Sequence, residues 1–199
     1  MTDWLNTSDL RIGYAQGKAL AGPLDIAFHP GELVCLVGPN GSGKSTLLRT
    51  LAGLLPALSG NVLLQGSLLP DLSLAERARR VALVPSGSQA PQGMSAMDSV
   101  ALGRSPHTGW WGKLSAKDRE IVQSALLQTD CSALAQRKIS ELSDGERQRL
   151  SVARALAQEA RMLLLDEPTA FLDLPHRVSL MGLLRTLCRE QDLGVLLST

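Results

Sequence analysis

The sequence has few of the features that mark a specialised protein class. Three Trp, one Tyr and two Phe among 199 residues are too few to build a core, so the interior must be aliphatic. Cys35, Cys131 and Cys188 are odd in number and far apart, which excludes a disulfide framework or a zinc cluster and fits a reducing compartment. Neither sign of charge is in surplus: 20 Lys+Arg against 19 Asp+Glu leave a net charge of +1. That balance argues against a dedicated nucleic-acid binder and against an acidic disordered tail. The longest uncharged stretch, the 21 residues from Thr50 to Pro70, is cut by Gly53, Pro56, Gly60, Asn61, Gln65, Gly66 and Pro70 into pieces too short to span a bilayer. The segment MTDWLNTSDLRIGY has neither a basic start nor an apolar run, so no secretory leader is expected.

What is present is leucine, 39 of them, in a chain long enough to bury roughly 70% of its unfolded surface without staples. The apolar run Leu33 to Val37 leads into GPNGSGKST, after which Leu47, Leu48, Leu51, Leu54 and Leu55 recur at helical spacing, predicting strand, loop and helix. Ser73 and Glu76 form a capping-box pattern before a second strand at Val81 to Pro85. From Ser86 to Arg104 the composition reads as a loop. Ser115 and Asp118 then cap a helix with Ile121, Val122, Ala125 and Leu126 on one face, and another helix is expected over Glu146 to Gln158. Met162 to Leu165 reads as a strand buried on both faces, Asp173 and Pro175 open a helix with Val178, Met181, Leu184, Leu187 and Cys188 on one side, and Gly194 to Ser198 is a last strand. Strands alternating with helices predict an α/β fold with a mostly parallel sheet. The core is expected over about 1–89 and 158–199, with a helical insertion over about 90–157.

Gly38-Pro39-Asn40-Gly41-Ser42-Gly43-Lys44-Ser45-Thr46 contains the phosphate-binding pattern G-x-x-x-x-G-K-[ST], placed between a strand and a helix start as the chemistry requires. Its glycines let backbone N–H groups curl around phosphate oxygens, with Lys44 reaching the β- and γ-phosphates and the Ser45 hydroxyl ligating Mg²⁺. Asp166 and Glu167 follow the buried strand, at the sheet edge where ligands bind in open α/β folds. Asp166 can hold the Mg²⁺, and Glu167 can orient and deprotonate water; two solvated acids at a strand end are the plainer alternative. Leu142-Ser143-Asp144-Gly145-Glu146-Arg147 lies ahead of a helix, where Ser143 or Asp144 would serve equally as a simple N-cap.

Taken together and in this order, the phosphate loop, the Ser143 segment and the Asp166-Glu167 strand end resemble the ABC ATPase family over essentially the whole chain. The resemblance implies a P-loop NTPase that binds and hydrolyses ATP with Mg²⁺. It places Tyr14 as an aromatic stacking on adenine, against the alternative of a partly buried strand tyrosine, and Asp173 in a loop between subunits, against a plain helix cap. It implies a head-to-tail homodimer in which Ser143, Asp144, Gly145 and Glu146 meet the partner's ATP. Further partners implied are transmembrane permease subunits and a periplasmic or extracellular binding protein, with the chain at the cytoplasmic face of the cell membrane and no nucleic acid bound. The segment Ala101 to Gly112, with Trp110 and Trp111, resembles importers of iron-siderophores, haem and cobalamin. The tryptophan pair suits either packing or a permease contact. Competing readings are a soluble ABC ATPase of translation or DNA repair, and a nucleotide-binding module with little turnover.

Three departures stand out. Ser86 sits where the family has glutamine after the second strand, so Gln89 or Gln92 is a candidate substitute. Asp144 and Glu146 replace Gly and Gln in the signature, and Glu146 brings negative charge toward the nucleotide. The chain ends at Thr199, where members carry a switch histidine, and none of His29, His107 or His176 fills that place. The resemblance thus implies a missing C-terminal part, with sheet partners in it; ATP binding is expected and efficient turnover by this chain is not. His176 is read as a surface residue near a helix start.

Overall fold

The computed structural model describes residues 3–14, 18–87, 93–109, 111–170 and 172–199. Among them are nine strands: β1 (Leu5–Ile12), β2 (Ala21–Leu24), β3 (Ala27–Phe28), β4 (Leu33–Leu36), β5 (Ser59–Leu64), β6 (Ser67–Leu68), β7 (Val81–Val84), β8 (Met162–Leu165) and β9 (Gly194–Ser198). Six helices accompany them: α1 (Lys44–Leu51), α2 (Leu74–Arg80), α3 (Ala96–Ala101), α4 (Ala116–Gln128), α5 (Asp144–Ala157) and α6 (Leu174–Gln191).

The strands divide into two sheets. One is parallel, in the order β4-β9-β8-β7, and holds the four strands read from the sequence. The other is antiparallel and was not foreseen: β2-β1-β5-β6, with β3 also paired to β1. The expected parallel sheet is the first of the two, and the antiparallel sheet stands beside it. The alternation of β1 is broken by a bulge between Ser8 and Arg11, where Asp9 takes φ 48° and its N–H is held by Asp25 Oδ1 at 2.7 Å. Leu5 and Thr7 point inward before the bulge, Leu10 and Ile12 after it, so the strand shows no single period of two. Strands β5 and β6 turn through Gln65 (φ 52°) and Gly66 (φ 77°), two left-handed residues that make a tight hairpin.

β9 is flanked on both sides, by β4 and by β8, so the expectation that the last strand lacks partners is corrected. The faces of the parallel sheet separate its side chains. Met162, Leu164 and Leu196 join Leu47, Leu48, Leu51 and the inward residues of β1 and β5 in one core. Leu163, Leu165, Val195 and Leu197 join Leu180, Leu184, Leu187 and Cys188 of α6 in a second. Each fully buried leucine contributes roughly 1.5–3 kcal/mol, which is how aliphatic packing replaces the missing aromatics. On α6 the inward face uses Leu180 rather than Val178, which is 64% exposed.

The helices α3, α4 and α5 close on a third core containing Ala96, Val100, Val122, Leu126, Leu150 and Ala153. Helix α3 lies where a loop was expected; Ser95 caps it by accepting from the Asp98 N–H at 3.1 Å, a one-turn signal easily lost among Gly and Pro. α1 stops at Leu51 instead of running to Leu55, because Gly53 takes φ 73° and Leu54 N–H turns back to Arg49 C=O at 2.9 Å.

Candidate functional site

The loop from Gly38 to Gly43 joins β4 to α1, at the C-terminal edge of the parallel sheet. α1 differs from the other five α-helices described. α2, α3, α4, α5 and α6 begin with a side chain that accepts from the first turn, from Ser73, Ser95, Ser115, Ser143 and Asp173 respectively. α1 begins at Gly43, φ 95°, with no side-chain cap. Its first N–H groups, with the positive end of the helix dipole, are left for an anion. A left-handed residue is required at Gly43, and a Cβ there would also press within 3.4 Å of Leu20 Cβ. The Lys44 ammonium lies inside the loop it follows, donating to Gly38 C=O at 2.7 Å and Pro39 C=O at 3.2 Å. Ser42 N–H donates to Pro39 C=O at 3.2 Å, closing the turn. Pro39, Asn40, Gly41 and Ser42 remain exposed.

Two sequence-distant groups meet at this edge. Ser45 Oγ donates to Asp166 Oδ1 at 2.9 Å. Asp166 is 3% exposed, its N–H fixed by Val84 C=O of β7 at 2.9 Å, so β8 delivers the carboxylate to the start of α1. A third residue had no part in the sequence reading. Ser198, wholly buried, donates to Asp166 Oδ1 and accepts from the Glu167 N–H, both at 2.9 Å. The pairing of Leu165 with Leu197 places Ser198 beside Asp166, and the signal available was a lone small polar residue ending an apolar strand. Glu167 holds φ 49°, a left-handed conformation unfavourable for its side chain and maintained by that bond. Tyr14 follows β1, its ring 55% exposed, and its hydroxyl accepts from Thr46 Oγ1 at 3.5 Å. It lies just beyond the end of β1, more exposed than buried, beside the phosphate loop.

Ser143 caps α5 in a complete capping box: it accepts from Glu146 N–H at 3.3 Å, and Glu146 Oε2 accepts from Ser143 N–H at 2.7 Å and Oγ at 2.9 Å. These bonds, with Arg137 3.6 Å away, hold the Glu146 carboxyl below the ordinary glutamate range. The negative charge expected to project forward is folded back onto its own helix start. Asp144 pairs with Arg147 at 2.7 Å, and Gly145 is buried. Asp173 caps α6 by accepting from His176 N–H at 3.2 Å; this and a second bond from His176 Nδ1 lower its carboxyl pKa, the ring bond contributing most. His176 is half-exposed, as a residue near a helix start should be, though its ring is not idle. Ser86 is exposed; Gln89, Gln92 and Trp110 lie outside the described residues, and Trp111 is 91% exposed. Among the described residues no cluster of three His, Cys, Asp or Glu side chains is arranged to hold a metal, and no helix is long and apolar enough to cross a membrane.

Residues 22–170 match the ABC transporter family model. The iron(3+)-hydroxamate import ATP-binding protein FhuC of Bacillus subtilis (strain 168) is 39% identical over 193 residues, covering 97% of this chain and 71% of that protein. An ABC transporter described as of metal-chelate type, solved in an inward-facing conformation, superimposes with a TM-score of 0.86 at 30% identity, covering 100% of this chain and 73% of that one. The dimeric ATP-binding cassette MJ0796, bound to ADP and Pi in a post-hydrolysis state, superimposes with a TM-score of 0.84 at 26% identity over 98% of this chain and 87% of that one. An uncapped helix start behind a glycine loop, a buried acid hydrogen-bonded to it and a match spanning most of the sequence converge on one assignment: the chain belongs to the ABC transporter ATP-binding family and is an ABC-type ATPase.

Proposed function

We propose that this ATPase powers an importer that takes up an iron-siderophore, haem or a similar metal chelate. The hydroxamate-import relative and the metal-chelate type neighbour support the substrate class. The observation that carries ATP chemistry is the 2.9 Å bond between Ser45 and Asp166, which brings the phosphate loop and the strand-end acid to one point. In this reading Gly38 to Thr46 wrap the phosphates, Lys44 leaves its two loop carbonyls for the β- and γ-phosphates, and Tyr14 stacks on adenine. Ser45 and Asp166 supply hard oxygen donors within hydrogen-bond distance of each other, a set that suits Mg²⁺, and these two residues would hold it. The ion, when bound, neutralises phosphate charge. Glu167 acts as the base that orients and deprotonates water, its backbone anchored by Ser198.

Ser143 and the Gly145 N–H would meet the ATP held by a second copy of the chain, with Asp144 and Glu146 beside them and Asp173 at the same interface. The cassette core then covers about 1–89 and 158–199 and the helical insertion about 90–157, a division supported by the separate core of α3, α4 and α5. Transmembrane permease subunits, with this ATPase docked at the cytoplasmic face of the membrane and a binding protein on the other side, complete the assembly.

Glu167→Gln is the decisive variant. It should keep ATP affinity, lose turnover and accumulate an ATP-bound dimer on size exclusion. If it bound no nucleotide, the assignment of Glu167 as base rather than binding residue would be wrong.

A further inference from the structure

Gly145 is buried in the first turn of α5, and its φ is not left-handed, so torsion does not require glycine there. Space does. A Cβ at this position would lie 3.1 Å from Cδ2, 3.4 Å from Cγ and 3.5 Å from Nε2 of His176. The imidazole therefore rests against the Gly145 backbone at a distance that any other residue would have to push apart. The ring is not free to move away. Asp173 Oδ1 accepts from both His176 Nδ1 and His176 N–H, so the cap of α6 also orients the ring. A carboxylate acceptor requires a proton on Nδ1, which fixes which edge of the ring turns to Asp173. The result is a contact chain, Asp173 to His176 to Gly145, from the start of α6 to the start of α5. Among the described residues, the polar ties of the α5 start are its own Ser143–Glu146 box, the Asp144–Arg147 pair and the 3.6 Å ion pair from Arg137. None of these ties it to α6.

We propose that His176 is a positioning residue that locks the Asp173 loop to the Ser143–Gly145 segment within one protomer, so that both are presented together to the nucleotide of the partner. This rests on the proposed function, in which both segments act across the dimer. If Asp173 shifts, its hydrogen bonds carry the ring with it, and the ring bears directly on the backbone whose N–H is to meet phosphate. Glycine at 145 makes this transmission direct, since no side chain intervenes to absorb the movement.

The test compares three proteins, Glu167→Gln and the same variant carrying His176→Ala or His176→Asn. A fluorescent ATP analogue measures nucleotide affinity in dilute protein, light scattering measures the ATP concentration for half-maximal dimerisation, and melting temperature is followed in parallel. Analogue affinity should stay within about twofold in all three, whereas half-dimerisation should require about tenfold more ATP in His176→Ala. His176→Asn, whose amide can still donate to Asp173, should recover most of that loss. Unchanged dimerisation in His176→Ala, with or without a lower melting temperature, overturns the proposal, and so does an Asn variant no better than Ala. A Glu167→Gln parent that binds no analogue, or binds it without dimerising, instead overturns the proposed function beneath it.

Discussion

Ser198 and Asp166 share a 2.9 Å hydrogen bond in which the serine, wholly buried, is the donor. The same hydroxyl accepts from the Glu167 N–H, so one small side chain orients the acid proposed to hold Mg²⁺ and anchors the backbone of the proposed base. Ser198→Ala leaves the Glu167 N–H without this partner and should cost about 1–3 kcal/mol in urea unfolding. It should also raise the Mg²⁺ concentration needed for half-maximal ATP hydrolysis. A variant with wild-type stability and Mg²⁺ dependence would show that β9 contributes packing alone.

Lys44 and Ser45 are adjacent but should fail differently. Lys44→Ala removes a cation aimed into the loop, and ATP affinity should fall by roughly ten- to a hundredfold in calorimetry whether or not Mg²⁺ is present. Ser45→Ala should leave metal-free ATP binding near wild type and weaken binding only when Mg²⁺ is added.

Arg104 is 3% exposed and donates to Asp118 Oδ1 at 2.9 Å, Ala157 C=O at 2.7 Å and Glu159 Oε2 at 2.8 Å. It therefore ties the turn after α3 to the start of α4 and the end of α5. Arg104→Ala should destabilise the chain by about 3 kcal/mol, and Arg104→Lys should not restore it, because a single ammonium cannot reproduce the guanidinium fork.

The acid in that network makes stability depend on pH. Ser115 side-chain and backbone bonds, then Arg104, lower the Asp118 pKa from 3.8 to about 2. A depressed carboxyl pKa stabilises the fold above its unfolded value and loses that contribution as pH falls through its folded value. Urea stability should therefore decline between about pH 4 and pH 2, and Asp118→Asn should flatten that part of the profile. An unchanged slope in Asp118→Asn would assign the decline to other carboxylates.

Trp111, 91% exposed, should be almost silent in the isolated chain: Trp111→Ala should change stability by less than about 0.5 kcal/mol. If it anchors a permease, the same variant should lower permease-stimulated ATPase while leaving basal ATPase intact.

What could be read in advance follows from the range of the physical signal. The strands that feed the site carry local, uninterrupted patterns: LVCL and MLLL are short apolar runs ending in chemistry-bearing residues. Helix starts at Ser73 and Ser115 were legible because a capping pattern is complete within four residues, whereas the choice between Ser143 and Asp144 as cap of α5 is made only by the structure, in favour of Ser143. β1 escaped because the bulge at Asp9 inverts its alternation, and β5 and β6 because Gln-Gly is a weaker hairpin signal than Asn-Gly. Ser198 meets Asp166 and Glu167 across 31 or 32 residues, and His176 lies against Gly145 of another helix, relationships that no local pattern encodes. Glu146 shows the opposite case: its chemistry was visible, but its direction depended on a capping geometry that a motif comparison with glutamine obscures.

The pairing of Leu33 with Val195 and of Met162 with Gly194 places β9, the last of the described strands, in the interior of the parallel sheet. β4 therefore has no parallel neighbour until β9 has been synthesised, whereas β1, β2, β3, β5 and β6 can pair within the first third of the chain. On the ribosome the antiparallel sheet can form early, while Met162 to Leu165, apolar on both faces, waits with one edge open. The period between the emergence of β8 and that of β9 is thus the interval of greatest exposure to aggregation. Slower translation after Leu165 should increase chaperone dependence even though the finished fold is unaltered.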